Sequence, residues 1–124
     1  MAGQPVHFEI PYDDTEKGRA FWGGLFGWQF EGFPGPSDYF MTRIGDQAGA
    51  AITNMEPGKR GIRPYFDVED INDGVAKVAE LGGEAGKPGS VPNMGWFAVC
   101  KDTEGNDFGL WQNDPSAPMT STAG

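Results

Sequence analysis

The sequence predicts an α+β fold of two βαβββ modules. Three observations carry that prediction. Short stretches of alternating apolar and polar residues read as strands. Two apolar-faced stretches, each preceded by aspartate and closed by glycine, read as helices. The same order of elements then occurs twice along 124 residues, as expected of a duplicated unit.

The first strand is Val6-His7-Phe8-Glu9-Ile10, closed by Pro11. Asp13-Asp14-Thr15-Glu16 supplies a helix cap and early acidic residues. Ala20, Phe21, Trp22, Leu25 and Phe26 form an apolar helical face, and Gly27 stops the helix. Trp28-Gln29-Phe30 begins a second strand, and Gly32-Phe33-Pro34-Gly35-Pro36 is a loop. Strands three and four are expected at residues 39–44 and 48–53, around a Gly45-Asp46 turn. Residues 54–61 read as a polar linker.

The pattern then restarts. Arg63-Pro64-Tyr65-Phe66-Asp67-Val68 is a strand. Asp70 caps a helix with apolar positions Ile71, Val75, Val78, Ala79 and Leu81, closed by Gly82-Gly83. Residues 86–93 are a Pro/Gly-rich loop. Residues 96–101 and 108–112 are strands joined by Asp102-Thr103-Glu104-Gly105-Asn106, where Gly105-Asn106 suits positive φ. The tail, residues 113–124, is rich in Pro, Ser, Thr, Ala and Gly and reads as disordered. His7 and Arg63, Asp14 and Asp70, Gly27 and Gly83, and Phe40 and Trp96 all stand 56 residues apart. Gly49 and Gly109 stand 60 apart, because the second hairpin turn is longer. The modules therefore run about 5–54 and 62–112 within a single domain.

Composition narrows the function classes. One cysteine, Cys100, excludes an intrachain disulfide and fits a reducing, cytoplasmic setting. The N-terminus has no basic segment followed by an apolar one, so no secretory signal is expected. No apolar run approaches the ~20 residues of a membrane helix. A net charge of −9 gives no footprint for nucleic acid or anionic lipid. Four tryptophans and 20 glycines suit a sheet-rich domain with a roomy aromatic interior.

Three segments carry a family resemblance: PVHFEIPYDDTEKGRAFWGGLFGWQF, PYFDVEDI and GWFAVCKDTEGNDFGLWQ. Across residues 5–112 the chain resembles the vicinal-oxygen-chelate superfamily, the glyoxalase/bleomycin-resistance/dioxygenase proteins. The most specific parts are the helix end at residues 21–28 and the turn at residues 102–110. The resemblance implies two modules forming a curled mixed sheet, a cup around a substrate site, and a homodimer. Metal-using members take ligands from the first and last strands of each module. Those places hold His7, Gly49 or an adjacent alanine, Arg63 and Gly109. Only His7 is a plausible ligand, whereas a catalytic metal needs about three. Metal and other cofactors are therefore not expected. A set of His7, Glu9 and Asp67 shares one face by alternation, but not with the family's geometry.

Period-2 alternation places His7, Glu9, Arg63, Tyr65, Asp67, Gly109 and Trp111 toward the cup. Phe8, Ile10, Phe66, Val68, Phe108 and Leu110 then face the helices. The expected ligand-binding residues are His7, Glu9, Phe40, Arg63, Tyr65, Asp67, Trp96 and Trp111. Glycines at ligand places are expected to make room for a flat aromatic or natural-product-like molecule. His7 either joins a structural network with Glu9, Asp67 or Arg63, or contacts ligand. Tyr65 either donates a phenolic proton or fills space. Trp22 and Trp28 belong to the core or a dimer contact.

Two functions follow. The first is metal-free binding of a small organic molecule. The second is a metal-independent lyase or isomerase, with His7, Glu9 and Tyr65 as its candidate catalytic residues. A carboxylate beside His7 is expected to hold it protonated. A metal-dependent glyoxalase or dioxygenase is a third, weaker reading.

Overall fold

A computed structural model describes residues 3–46 and 48–118. The chain forms two compact units, His7–Arg63 and Pro64 onward together with the segment up to Val6.

In the His7–Arg63 unit, strand β1 (Pro5–Pro11) enters and helix α1 (Thr15–Phe26) follows. Three strands complete it: β2 (Glu31–Gly32), β3 (Tyr39–Arg43) and β4 (Gly49–Thr53). The strand order is β2-β3-β4-β1. β4 runs parallel to β1, with His7 beside Gly49, and antiparallel to β3. Asp14 caps α1 by accepting from the Glu16 N–H at 3.1 Å. Gly27 closes it at φ 71°, a left-handed conformation that glycine adopts without penalty.

Helix α1 does not bury the expected face. Phe21, Leu25 and Phe26 are all more than half exposed, while Thr15 and Gly18 are buried. Gly18 permits the close approach: a Cβ there would stand 2.6 Å from the Tyr12 ring and 2.9 Å from Ile52. Residues 28–30 form no strand either. Their rings pack on the end of α1, with Trp28 stacked on Trp22 at 5.6 Å, and pairing with β3 begins at Glu31.

In the second unit, β5 (Arg63–Asp67) leads to α2 (Ile71–Glu80). Next come β6 (Glu84–Ala85), β7 (Gly89–Val91), β8 (Gly95–Lys101) and β9 (Asp107–Asn113). β5 and β9 are parallel, with Tyr65 beside Gly109, while β8 pairs antiparallel with β9, β6 and β7. Asp70 accepts from both Asn72 and Asp73 N–H groups, and Gln112 Oε1 takes the Ile71 N–H at 2.8 Å. The helix ends in paired bonds from Gly82 N to Ala79 O and from Gly83 N to Val78 O, satisfying its last carbonyls. Ile71, Val75 and Val78 pack with Ala98, Cys100 and Leu110 as the core. Leu81, expected on that face, is 67% exposed because it lies beyond the last turn; Ala79 is also exposed.

Two further expectations change. Residues 86–93 contain the strand β7, and Gly86 marks a close approach: a Cβ there would collide with the Val99 carbonyl. The tail is ordered through residue 118. Asn113 ends β9, Trp96 Nε1 donates to Asp114 Oδ2 at 3.0 Å, Asn93 N donates to Ala117 O, and Ala117 is 4% exposed. Backbone bonds to the β7–β8 turn thus hold a segment whose composition reads as unstructured. Residues 119–124 lie outside the described residues. In the 102–106 turn only Gly105 has positive φ, at 84°; Asn106 instead bonds the Asp102 carboxylate. Among the described residues no helix is long and apolar enough to cross a membrane.

Candidate functional site

Alternation along β1 puts His7 and Glu9 on one face and Phe8 and Ile10 on the other. The register carries that face across the unit. His7 stands beside Gly49 and Glu9 beside Ala51, while Ala51 stands beside Met41 and Thr53 beside Tyr39 on the other edge of β4. β4 lies between β3 and β1 and offers only small side chains at Gly49 and Ala51. The Tyr39 side chain crosses above them. Its hydroxyl sits 2.9 Å from His7 Nε2 and donates to Glu9 Oε2 at 2.8 Å. The His7 and Tyr39 rings lie nearly parallel, with centroids 6.4 Å apart.

Arg63 completes the row. Its Nη1 donates to Glu9 Oε1 at 3.2 Å, and its Nη2 reaches Glu56 Oε1 at 2.8 Å. Arg63 is 7% exposed, so its cation needs these two carboxylates. The run Glu56–Arg63–Glu9–Tyr39–His7 is thus one hydrogen-bonded chain. Tyr39 links His7 to Glu9. Burial pushes the imidazole below its ordinary pKa of 6.5, against a smaller upward pull from Glu9. The expectation of a protonated His7 is therefore reversed: desolvation outweighs the carboxylate. The Phe33 ring meets Tyr39 edge-on at 6.1 Å, giving the row an apolar border.

Phe40, expected beside the ligand, lies on the opposite face. It follows Tyr39 by one residue, and the Arg19 guanidinium of α1 sits 3.9 Å above its ring. Trp96 is likewise corrected. It packs against the α2 core with Ala98 and Cys100, two and four residues on.

The second unit has its own non-helical face. Tyr65 stands beside Gly109, Asp67 beside Trp111, and Trp111 beside Phe97. Tyr65 is 5% exposed, and its ring covers Gly109 so closely that a Cβ there would overlap it. The missing side chain at Gly109 therefore makes room for Tyr65 and not for a ligand. Asp67 Oδ1 accepts from Gln4 N at 2.9 Å, and Trp111 Nε1 donates to Asn113 Oδ1.

Sequence reasoning missed Tyr39 and Glu56. Alternation over Tyr39–Arg43 and the small residues at 49 and 51 are the signals for Tyr39. Glu56 lies in the segment before β5 and has no such signal. A separate open depression of about 370 Å³ is lined by Pro11, Tyr12, Asp13, Arg60, Gly61 and Ile62.

The four family ligand places do not fit a metal. His7 is the one donor, Gly49 lacks a side chain, Arg63 is ion-paired to Glu9 and Glu56, and Gly109 lies under Tyr65. Among the described residues no three His, Cys, Asp or Glu side chains converge on a point that could hold an ion.

Known proteins bear on this geometry. The profile of the Glyoxalase-like domain matches residues 6–111. "Putative glyoxylase CFP32" of Mycobacterium tuberculosis is 31% identical over 119 residues, 89% of this chain and 46% of that protein. The chain thus spans about half the length of that relative. A "Glyoxylase-like domain-containing protein" of Didymella fabae is 29% identical over 89% of this chain and 94% of its own length. Among solved structures, a methylmalonyl-CoA epimerase in complex with methylmalonyl-CoA and NH4+ superposes with TM-score 0.76 at 12% identity, over 95% of this chain and all of that one. A hypothetical protein from Bacillus halodurans gives 0.74 at 14% identity, over 94% and 98%. At such identities the structures show a shared fold and nothing of substrate.

Proposed function

The chain belongs to the glyoxalase-like family of the vicinal-oxygen-chelate superfamily, and from that premise we propose that it binds a small organic molecule on the His7 face without a metal. The observation that carries this reading is the bonded row Arg63–Glu9–Tyr39–His7. A binding site gains affinity when its polar groups are held in place before the ligand arrives. Here an ion pair fixes Glu9, Glu9 fixes Tyr39, and Tyr39 fixes His7. Phe33 and the Tyr39 ring supply an apolar wall for the body of the molecule. With Phe40 and Trp96 on the helix-facing sides, the ligand is small and carries polar groups toward His7.

A second reading rests on the neutral His7. An imidazole held neutral and oriented by a phenol is suited to take a proton from a carbonyl compound. The chain would then be a metal-independent lyase or isomerase. The relatives described as glyoxylases and the epimerase fold neighbours are consistent with it.

Thermal melting across a panel of 2-oxoaldehydes, 2-hydroxyketones, 2-hydroxy acids and planar aromatics tests binding. A ligand at 100 times its Kd adds about 2.7 kcal/mol, a shift of several degrees. We expect a shift for at least one carbonyl class, diminished in His7→Gln. No shift anywhere in the panel overturns the proposal.

A further inference from the structure

We infer that the depression at the end of β1 is a second binding site, which takes a free α-amino acid with a bulky apolar side chain. Asp13 receives the ammonium group and Arg60 the carboxylate. The site is separate from the His7 face, and the inference does not depend on the function proposed for that face.

The segment between β4 and β5, a polar linker by composition, folds back on the end of β1 and completes the site. The depression of about 370 Å³ is bordered by Pro11, Tyr12, Asp13, Arg60, Gly61 and Ile62, all within the His7–Arg63 unit. Small-molecule sites span roughly 300–1,000 Å³. The apolar wall is held in place. Tyr12 N donates to Thr53 O at 3.0 Å. The Tyr12 ring packs so closely on Gly18 that a Cβ there would stand 2.6 Å from it. Gly61, at φ 92°, turns the chain so that Arg60 and Ile62 both border the depression. Ile62 is 48% exposed and offers apolar area for a ligand to bury.

The polar side is a positioned pair of opposite charges. Asp13 Oδ1 accepts from Gly58 N at 3.0 Å, and Arg60 Nη1 donates to Lys59 O at 2.8 Å. Backbone bonds thus hold both groups before a ligand arrives, which lowers the entropy lost on binding. Asp13 Oδ2 and Arg60 Nη2 face each other at 3.7 Å. That is too long for a hydrogen bond, so each keeps bonding capacity for a ligand. A simple anion meets Asp13 as well as Arg60, and a simple cation meets Arg60 as well as Asp13. A zwitterion matches both. An α-amino acid carries its two charged groups on one carbon, at a spacing close to that of the Asp13–Arg60 pair. Its side chain then lies against Pro11, Tyr12 and Ile62.

Amide-shift titration with L-phenylalanine, 3-phenylpropanoate and phenethylamine tests this. The second compound lacks the ammonium group and the third lacks the carboxylate. They also stand for the two ends of a peptide, which carry one charge each. We expect L-phenylalanine to give saturable shifts at Tyr12, Asp13, Gly58, Gly61 and Ile62. It should bind about fivefold more tightly than either analogue, the effect of one exposed charge contact. Arg60→Gln should weaken L-phenylalanine and 3-phenylpropanoate but not phenethylamine. Asp13→Asn should weaken L-phenylalanine and phenethylamine but not 3-phenylpropanoate. The Arg60 and Asp13 side chains are 75% and 61% exposed, so both variants keep the fold, as their amide spectra would verify. No saturable shift around the depression overturns the inference, as do equal affinities for the three compounds. Losses in the two variants that fail to cross over between the analogues overturn it too, as do L-phenylalanine shifts centred on His7 and Gly49.

Discussion

The Tyr65 ring lies directly over Gly109, its neighbour across the parallel strands β5 and β9. A Cβ on Gly109 would overlap that ring, and Tyr65 is 5% exposed, so the ring has little freedom to withdraw. Gly109→Ala is therefore expected to destabilise the chain by about 1–3 kcal/mol, the usual range for overpacking. Urea denaturation checks this. Adding Tyr65→Ala should make the double variant cost less than the sum of the two single changes, since they share one contact.

Arg63 and Glu56 should differ sharply although they form one ion pair. Arg63 and Glu9 are largely buried, with side chains 8% and 16% exposed, whereas the Glu56 side chain is 52% exposed. Arg63→Met leaves Glu9 buried without its cation and is expected to cost about 3–5 kcal/mol. Glu56→Gln removes a half-exposed partner and should cost below about 1 kcal/mol. Equal losses in chemical denaturation would show that the row is not organised around the Arg63–Glu9 pair.

His7 makes stability depend on pH in a definite direction. Burial lowers its folded pKa below the ordinary 6.5, so the unfolded chain binds the proton more readily. The stability from a neutral His7 is fully present above about pH 6.5 and is lost as pH falls through the lowered folded value. Melting temperatures between pH 7.5 and 5 should fall toward acid more steeply in the wild type than in His7→Gln. A parallel decline in both proteins would contradict a buried neutral imidazole.

Metal should be dispensable. Dialysis against a chelator is expected to leave the melting temperature unchanged, and added Zn²⁺ or Ni²⁺ should not raise it, because anything binding only the folded state would. A metal-dependent rise of several degrees would show a donor set that His7 alone does not provide.

Much of this was legible in the sequence, for identifiable reasons. Asp70 and Gly82-Gly83 gave the limits of α2 because capping is local chemistry, decided within a few residues. The shared face of His7 and Glu9 followed from strand alternation alone. Phe40 and Trp96 were misplaced because both faces of their strands are apolar. Trp96, Ala98 and Cys100 alternate with Phe97 and Val99, and that pattern does not say which row meets a helix. Residues 28–30 have strong strand propensity, which ring packing on α1 overrode. Tyr39 stayed hidden because its role needs the register of three strands and the small residues between them. The ordered tail to residue 118 depends on backbone bonds to a distant turn, which composition does not encode.

The most direct test is to map amide shifts while titrating the compound that gives the largest thermal shift. The account predicts the largest changes at His7, Glu9, Tyr39, Gly49 and Arg63. Changes centred instead on Tyr12, Arg60 and Ile62, around the separate depression, would contradict it.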